Sequence, residues 1–191
     1  MNRLVARAAD LRAALDGIAE LGRPLETAAA AVALSFRNGG KLLAAGNGGS
    51  AAEAQHLTGE LVGRLVPSRE RGPLPAVALH ADTSSLTAVA NDYGFDQVFA
   101  RQVDALGCSG DVLVVLSTSG ASANLVAAVD VANARDIVTI GLLGPGKRPL
   151  HDRCRHVLAV ESASMQVVQE CHLLLVHVLA ELVEDLLAEQ R

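Results

Sequence analysis

The feature that most restricts this chain is a repeated transition: a short, unbroken apolar run ends in small polar residues, and helical periodicity follows. Residues 111–116 (DVLVVL) run into Ser117-Thr118-Ser119-Gly120 and then a helical stretch over 122–134. Residues 41–45 (KLLAA) run into Gly46-Asn47-Gly48-Gly49-Ser50, with helical sequence from 51 to about 65. Three more runs, 75–79, 137–142 and 156–160, give five strand candidates. Apolar runs without alternation suit strands buried on both faces, and strands separated by helices form parallel sheets. The expectation is an α/β fold, a three-layer αβα sandwich on a five-stranded parallel sheet with added N- and C-terminal helices.

Helical patterns also occupy 3–21 and 25–38, split by Gly22 and Pro24. Leu4, Ala8, Leu11, Leu15 and Ile18 recur at three- and four-residue spacing, a stripe that covers the sheet or pairs with another subunit. Residues 84–90 and 95–106 read as helices around a turn at Asn91-Asp92-Tyr93-Gly94. Residues 144–149 read as a Gly/Pro loop, and 165–187 as a long closing helix. A chain of 191 residues suits one domain rather than two. Residues 1–38 are expected to make oligomer contacts, and 39–191 to form the sheet core and C-terminal helix.

Half of the residues are hydrophobic but only 2% aromatic, so Ala, Val and Leu must fill the core. Sixteen basic against 21 acidic residues leave a net charge of −5, which argues against nucleic acid as a partner. Cys108, Cys154 and Cys171 are odd in number and contain no CxxC pair, so reduced structural thiols are expected. The charged N-terminus lacks a signal-peptide core, and no run reaches the ~20 apolar residues of a membrane span. A cytoplasmic protein without membrane contact is the expectation.

Ligands of open parallel sheets bind beyond the carboxyl ends of the strands. GNGGS and STSGAS both lie there, each opening a helix. Glycines let backbone approach a ligand, and helix starts offer free N–H groups. Ser117, Thr118, Ser119 and Ser122 add hydroxyls, which together make a neutral cradle for a phosphate. Neither loop fits GxxxxGK[ST] or GxGxxG, so a small phosphorylated metabolite is favoured over a nucleotide. The helix after the first loop carries His56 and Glu60 four residues apart, on one face. The last helix carries Gln169 and His177 eight apart, again on one face, with His172 available for a buried hydrogen bond. The two pairs could supply a carboxylate base, an imidazole acid and a mixed nitrogen/oxygen metal site. His80, His151 and His156 receive no functional role.

Taken together, GNGGSAAEAQHLTGELVGR, NDYGF, LSTSGASAN and QECHLLLVH resemble the bacterial phosphoheptose (sedoheptulose-7-phosphate) isomerases of the sugar-isomerase, or SIS, class. The resemblance runs from about residue 40 to 185. It implies conversion of sedoheptulose 7-phosphate to a seven-carbon aldose phosphate of heptose biosynthesis. It also implies a homotetramer with active sites formed between subunits. Matched by motif, Glu60 is the general base and His177 the general acid of proton transfer through an enediol. Asn47, Gly48 and Gly49 form the first ligand loop, and Asn91 and Asp92 contact substrate. Ser117, Thr118, Ser119 and Ser122 hold the phosphate, with Arg64 nearby. The resemblance further implies zinc held by His56, Glu60, Gln169 and His177, where a metal either polarises substrate oxygens or arranges the site. The chain departs from the family pattern at Gln166, Val167 and Val168 and in the GPGKRP loop.

Two other functions share this fold. One is a non-enzymatic regulator that binds the replication initiator DnaA, a subgroup that tends to replace the last-helix histidine retained here as His177. The other is a sugar-phosphate-sensing module, which needs the phosphate loops but not the His/Glu/Gln/His set.

Overall fold

In strand β1 (Leu42–Gly46) all five residues are buried. Successive side chains leave opposite faces of the sheet, so Leu42 and Ala44 enter one apolar cluster and Leu43 and Ala45 the other. Strand β3 (Val112–Ser117) divides likewise, Val112, Val114 and Leu116 against Leu113 and Val115. Such strands cannot face water, and helices cover both sides. The computed structural model describes residues 2–188.

With β2 (Ala76–Ala78), β4 (Val138–Leu143) and β5 (His156–Ala159), the strands form one parallel sheet in the order β2-β1-β3-β4-β5. Helices α1 (Arg3–Ile18), α2 (Gly22–Arg37), α3 (Gly49–Val62) and α8 (Met165–Ala188) cover one face. Helices α4 (Thr83–Tyr93), α5 (Ala100–Leu106), α6 (Ala123–Ala134) and α7 (Pro149–Arg153) cover the other. In α8, Val168, Cys171, Leu175, Val176, Leu179 and Val183 are buried at three- and four-residue spacing. Full burial of each such aliphatic side chain is worth about 1.5–3 kcal/mol, which anchors α8 between α2 and α3. The chain moves from β1 to β2 on one side and then to β3 on the other. That reversal opens a crevice at the carboxyl ends of β1 and β3.

Three local expectations are corrected. Asn91, Asp92 and Tyr93 are the last turn of α4, and only Gly94, at φ 89°, leaves the helix. Gly22 starts α2 directly after a 3₁₀ turn over Ala19–Leu21, and Pro24 stands in the first turn, where its missing N–H costs nothing. The loop ending at Pro149 leads into α7, which has Pro at its first position. The α1 stripe also divides: Leu11 and Ile18 pack on the core beside buried Ala14, while Leu4 and Leu15 face outward.

Candidate active site

Gly46 lies level with Leu116 across the β1–β3 register, so the two following loops begin side by side at the crevice. Asn47 and Asn124 tie them together through reciprocal amide hydrogen bonds of 3.0 and 2.9 Å. The serine loop is folded on itself, with the Ser117 hydroxyl accepting from the Gly120 N–H at 3.0 Å. Gly144 supports it from below: a Cβ there would lie 1.9 Å from the Thr118 carbonyl oxygen, so only glycine allows this approach. Ser117 is buried and committed to the turn, whereas Ser119 is exposed. Ser122 occupies the N-cap position of α6 without making a cap hydrogen bond. Its hydroxyl and the N–H groups of Ala123 and Asn124 therefore remain open, while the Leu125 N–H already donates to the Ser122 carbonyl.

Asn47, Ser50, Ser117, Thr118, Ser119, Ser122 and Gln169 line a cavity of about 90 Å³, and no lining side chain is charged. Hydroxyls, amides and a helix start around a small neutral cavity are suited to a phosphate. Ser119→Ala is expected to raise KM for a sugar phosphate about tenfold, the usual worth of a hydrogen bond to a charged group, with little change in kcat. Steady-state kinetics read this directly, and an unchanged KM takes Ser119 out of the cradle. A larger cavity at the far end of α3 and α8, beside Arg69, Arg71 and Glu184, does not compete as an anion site. Two of its arginines are ion-paired, Arg71 with Glu184 at 2.8 Å and Arg69 with Asp185, and Arg37, the third, is bonded to the Leu186 carbonyl.

Helices α3 and α8 run in the same direction and meet at matched intervals. The amide of Gln169 packs on Gly49, Glu53 faces His172 at 3.9 Å, and His56 Nε2 meets His177 Nε2 at 2.8 Å. Farther on, Glu184 accepts the Leu65 N–H at 3.1 Å. His56 Nε2 also lies 3.2 Å from Glu60 Oε1, and one ligand atom from each of His56, Glu60 and His177 falls within 4.8 Å of the others. Two ring nitrogens and a carboxylate converging on one point need a shared proton or a cation between them, and the donor set fits a divalent metal of borderline softness. Gln169 sits at the cradle end of α8, eight residues before His177.

The remaining expected residues stand outside this cluster in the single chain. Asn91 and Asp92 are exposed and bonded to each other at 2.7 Å. Arg64 is exposed and paired with Glu70. Residues that the sequence reading missed form the supporting layer. Asn124 is buried beneath Asn47, and Glu53 receives a hydrogen bond from Ser50 while burial pushes its carboxyl up to about 7. His172 makes the anticipated buried bond, donating from Nε2 to the Leu143 carbonyl at 3.2 Å, and burial pulls its pKa down to about 4. The sequence offered one signal for Glu53, its place one turn before His56 on the helix that carries the site.

The SIS domain family model matches residues 8–144. A phosphoheptose isomerase of Streptomyces coelicolor is 59% identical over 141 residues, covering 74% of this chain and 60% of that protein's length. One of Rhodospirillum rubrum is 50% identical over 160 residues, 84% of each chain. The solved phosphoheptose isomerase of Neisseria gonorrhoeae superposes with a TM-score of 0.89 at 41% identity, covering 96% of this chain and 97% of that one. Sequence, fold and the phosphate-sized crevice beside paired histidines agree, and the chain belongs to the SIS-domain family, within its phosphoheptose isomerase branch.

Proposed function

We propose that this protein interconverts sedoheptulose 7-phosphate and a heptose 7-phosphate of manno type. The observation that carries the reading is the convergence of Glu60, His56 and His177 along the same helix pair that holds the phosphate cradle. From Gly49 to His56 is seven residues, a rise of about 10 Å along α3. That is the scale of an extended seven-carbon chain, so a phosphate in the cradle leaves the opposite end of the sugar at the cluster.

In this reading the phosphate rests on Ser119, Ser122, Thr118 and the open N–H groups of α6, with Gly48, Gly49 and Asn47 alongside. Glu60 takes a proton from C1 as His177 delivers one to the C2 carbonyl oxygen, giving an enediol. Glu60 returns its proton to C2 as the O1 hydroxyl gives its proton back to His177, and an aldehyde forms at C1 with both residues restored. A pure sensor or a DnaA-binding relative needs no such cluster, so the isomerase reading is favoured.

His56, Glu60 and His177 would hold a zinc ion, with Gln169 approaching from the cradle side. Bound there, zinc would polarise oxygen atoms of the sugar. We further assign a homotetramer whose sites are completed across subunit boundaries. Exposed Leu4, Val5, Leu15, Leu173 and Leu174 on α1 and α8 support this, and so does the distance of exposed Asn91 and Asp92 from the cluster in sequence and layer. Among the described residues no helix is long and apolar enough to cross a membrane, and the free thiols of Cys108, Cys154 and Cys171 suit the reducing cytoplasm.

An NMR time course with sedoheptulose 7-phosphate, run on chelated and zinc-loaded protein, tests activity and metal together. The expected result is a new aldose phosphate, with at least a tenfold rate gain on zinc loading and one zinc per chain. Equal rates at zero zinc remove the metal from the reaction, and no conversion by either form removes the isomerase reading.

A further inference from the structure

The cradle described above is built from neutral groups, yet its ligand would be a dianion and the protein as a whole carries a net charge of −5. Something local must offset that repulsion. Ser117–Ser122 include no cation, and Arg64 is already paired with Glu70. An unassigned positive charge packs beside it in the loop between β4 and α7, which carries Lys147 and Arg148.

The backbone holds this loop against the cradle. The Leu150 N–H donates to the Gly120 carbonyl at 3.0 Å. Gly120, at φ 62°, sits between Ser119 and Ser122, and a Cβ on it would lie 2.9 Å from Arg148 Cβ and 3.0 Å from His151 Cε1. His151 contributes from the other side, its Nε2 lying 3.1 Å from the Gly144 carbonyl, where it donates. Arg148 therefore starts in contact with the turn of the serine loop, and its long stem can bring the guanidinium across the mouth of the cavity. Both Lys147 and Arg148 are exposed. At the far end of α3 and α8, Arg69 and Arg71 have acidic partners, and Arg37 is held by the Leu186 carbonyl. Among the described residues, Lys147 and Arg148 have neither an ion pair nor a side-chain hydrogen bond.

We propose that Arg148, seconded by Lys147, is the cation that reads the phosphate of the substrate, drawing the dianion to the neutral cradle and closing over it. Resting on the assignment of the serine loop as a phosphate site, this makes the β4–α7 loop a specificity element for charged over uncharged sugars. An exposed guanidinium acts on a bound anion mainly by charge, so its contribution is screened by salt.

The test compares wild type with Arg148→Gln, Arg148→Lys, the double variant Lys147→Gln/Arg148→Gln, and Arg155→Gln. Arg155 precedes β5 at the opposite edge of the sheet and is exposed, so it removes the same charge far from the cradle. Inorganic phosphate is titrated calorimetrically, and KM and kcat are measured with the sugar phosphate, at about 25 and about 500 mM salt. Arg148→Gln is expected to weaken phosphate binding and raise KM about fivefold at low salt, the double variant more, with kcat within about twofold. Arg148→Lys should recover most of the loss, Arg155→Gln should show none, and high salt should erase the differences. Equal phosphate affinity in wild type and Arg148→Gln, or an equal loss in Arg155→Gln, overturns the proposal. If Ser119→Ala weakens phosphate while Arg148→Gln does not, the cradle stands and only this assignment falls; if neither does, the cradle itself falls.

Discussion

Glu60→Gln is expected to fold, bind sugar phosphate with nearly unchanged affinity, and turn it over at least about a thousandfold more slowly. The substitution keeps the shape and the contact with His56 Nε2 at 3.2 Å, but an amide cannot accept the C1 proton. General-base catalysis contributes about 10²–10⁴ in rate, which sets the size of the loss. Because Glu60 also belongs to the cluster that would hold a metal, zinc content has to be measured beside the rate. A variant that retains zinc and has lost turnover separates proton transfer from metal binding. The second readout is exchange of the C1 hydrogen with deuterated solvent. It should vanish in Glu60→Gln and persist in His177→Ala, whose defect lies in serving the oxygens rather than the carbon. Turnover within tenfold of wild type, with exchange intact, would remove Glu60 from the role of base.

The parts of this site that could be read from the sequence are those set by local spacing. His56 and Glu60 share a face because they are one turn apart, and the serine and glycine loops lie at one edge because each follows a strand and opens a helix. The five strands were legible because Leu42–Ala45 and Val112–Leu116 are apolar without alternation. In the structure most of them begin one residue later than the apolar run suggests. Hydrogen-bond register between strands fixes such boundaries, and hydropathy does not contain it. The alignment of α3 with α8 was not legible at all. Seven residues from Gly49 to His56 match eight from Gln169 to His177 only because the two helices pack in parallel at one offset, a tertiary fact. The same applies to Asn124, which reads as an ordinary first-turn residue until Asn47 arrives from a strand away. Helix α7 was hidden by Pro145, Gly146 and Pro149, since composition marks a loop while the position of Pro149 marks a helix start. Asn91-Asp92 reads as a turn by propensity, but packing of half-buried Leu86, Val89 and Ala90 against the second core cluster carries α4 through it.

Between α3 and α8, Glu53 and His172 make the second large prediction, one of opposite signs. Burial holds Glu53 protonated up to about pH 7 and His172 neutral down to about pH 4. Glu53 Oε2 and His172 Nδ1 are both buried without partners and lie 3.9 Å apart. Since His172 Nε2 donates to Leu143, Nδ1 presents a lone pair toward a carboxyl that carries its proton. A raised carboxyl pKa gives stability that is complete below the unfolded value near 4.5 and is lost as pH rises through 7. A lowered imidazole pKa gives stability that is complete above 6.5 and is lost as pH falls through 4. Across the shared window the folded chain keeps its one proton on Glu53, and the unfolded chain keeps one on His172. The two slopes therefore cancel in the wild type.

Removing either partner exposes the other. Glu53→Gln should become more stable as pH rises from 4 to 6.5, and His172→Gln less stable as pH rises from 4.5 to 7. Each slope approaches about 1.4 kcal/mol per pH unit as an upper limit for one proton, and on the order of 2–3 kcal/mol accumulates over the window. Urea unfolding at fixed protein concentration, repeated across these pH values, reads both slopes as departures from wild type, since His80 and His156, also lowered by burial, contribute equally to all three proteins. Parallel curves for all three proteins would mean that neither group titrates abnormally in the fold. Divergence in the stated directions would establish that Glu53 keeps its proton and His172 stays neutral in the folded protein across this window.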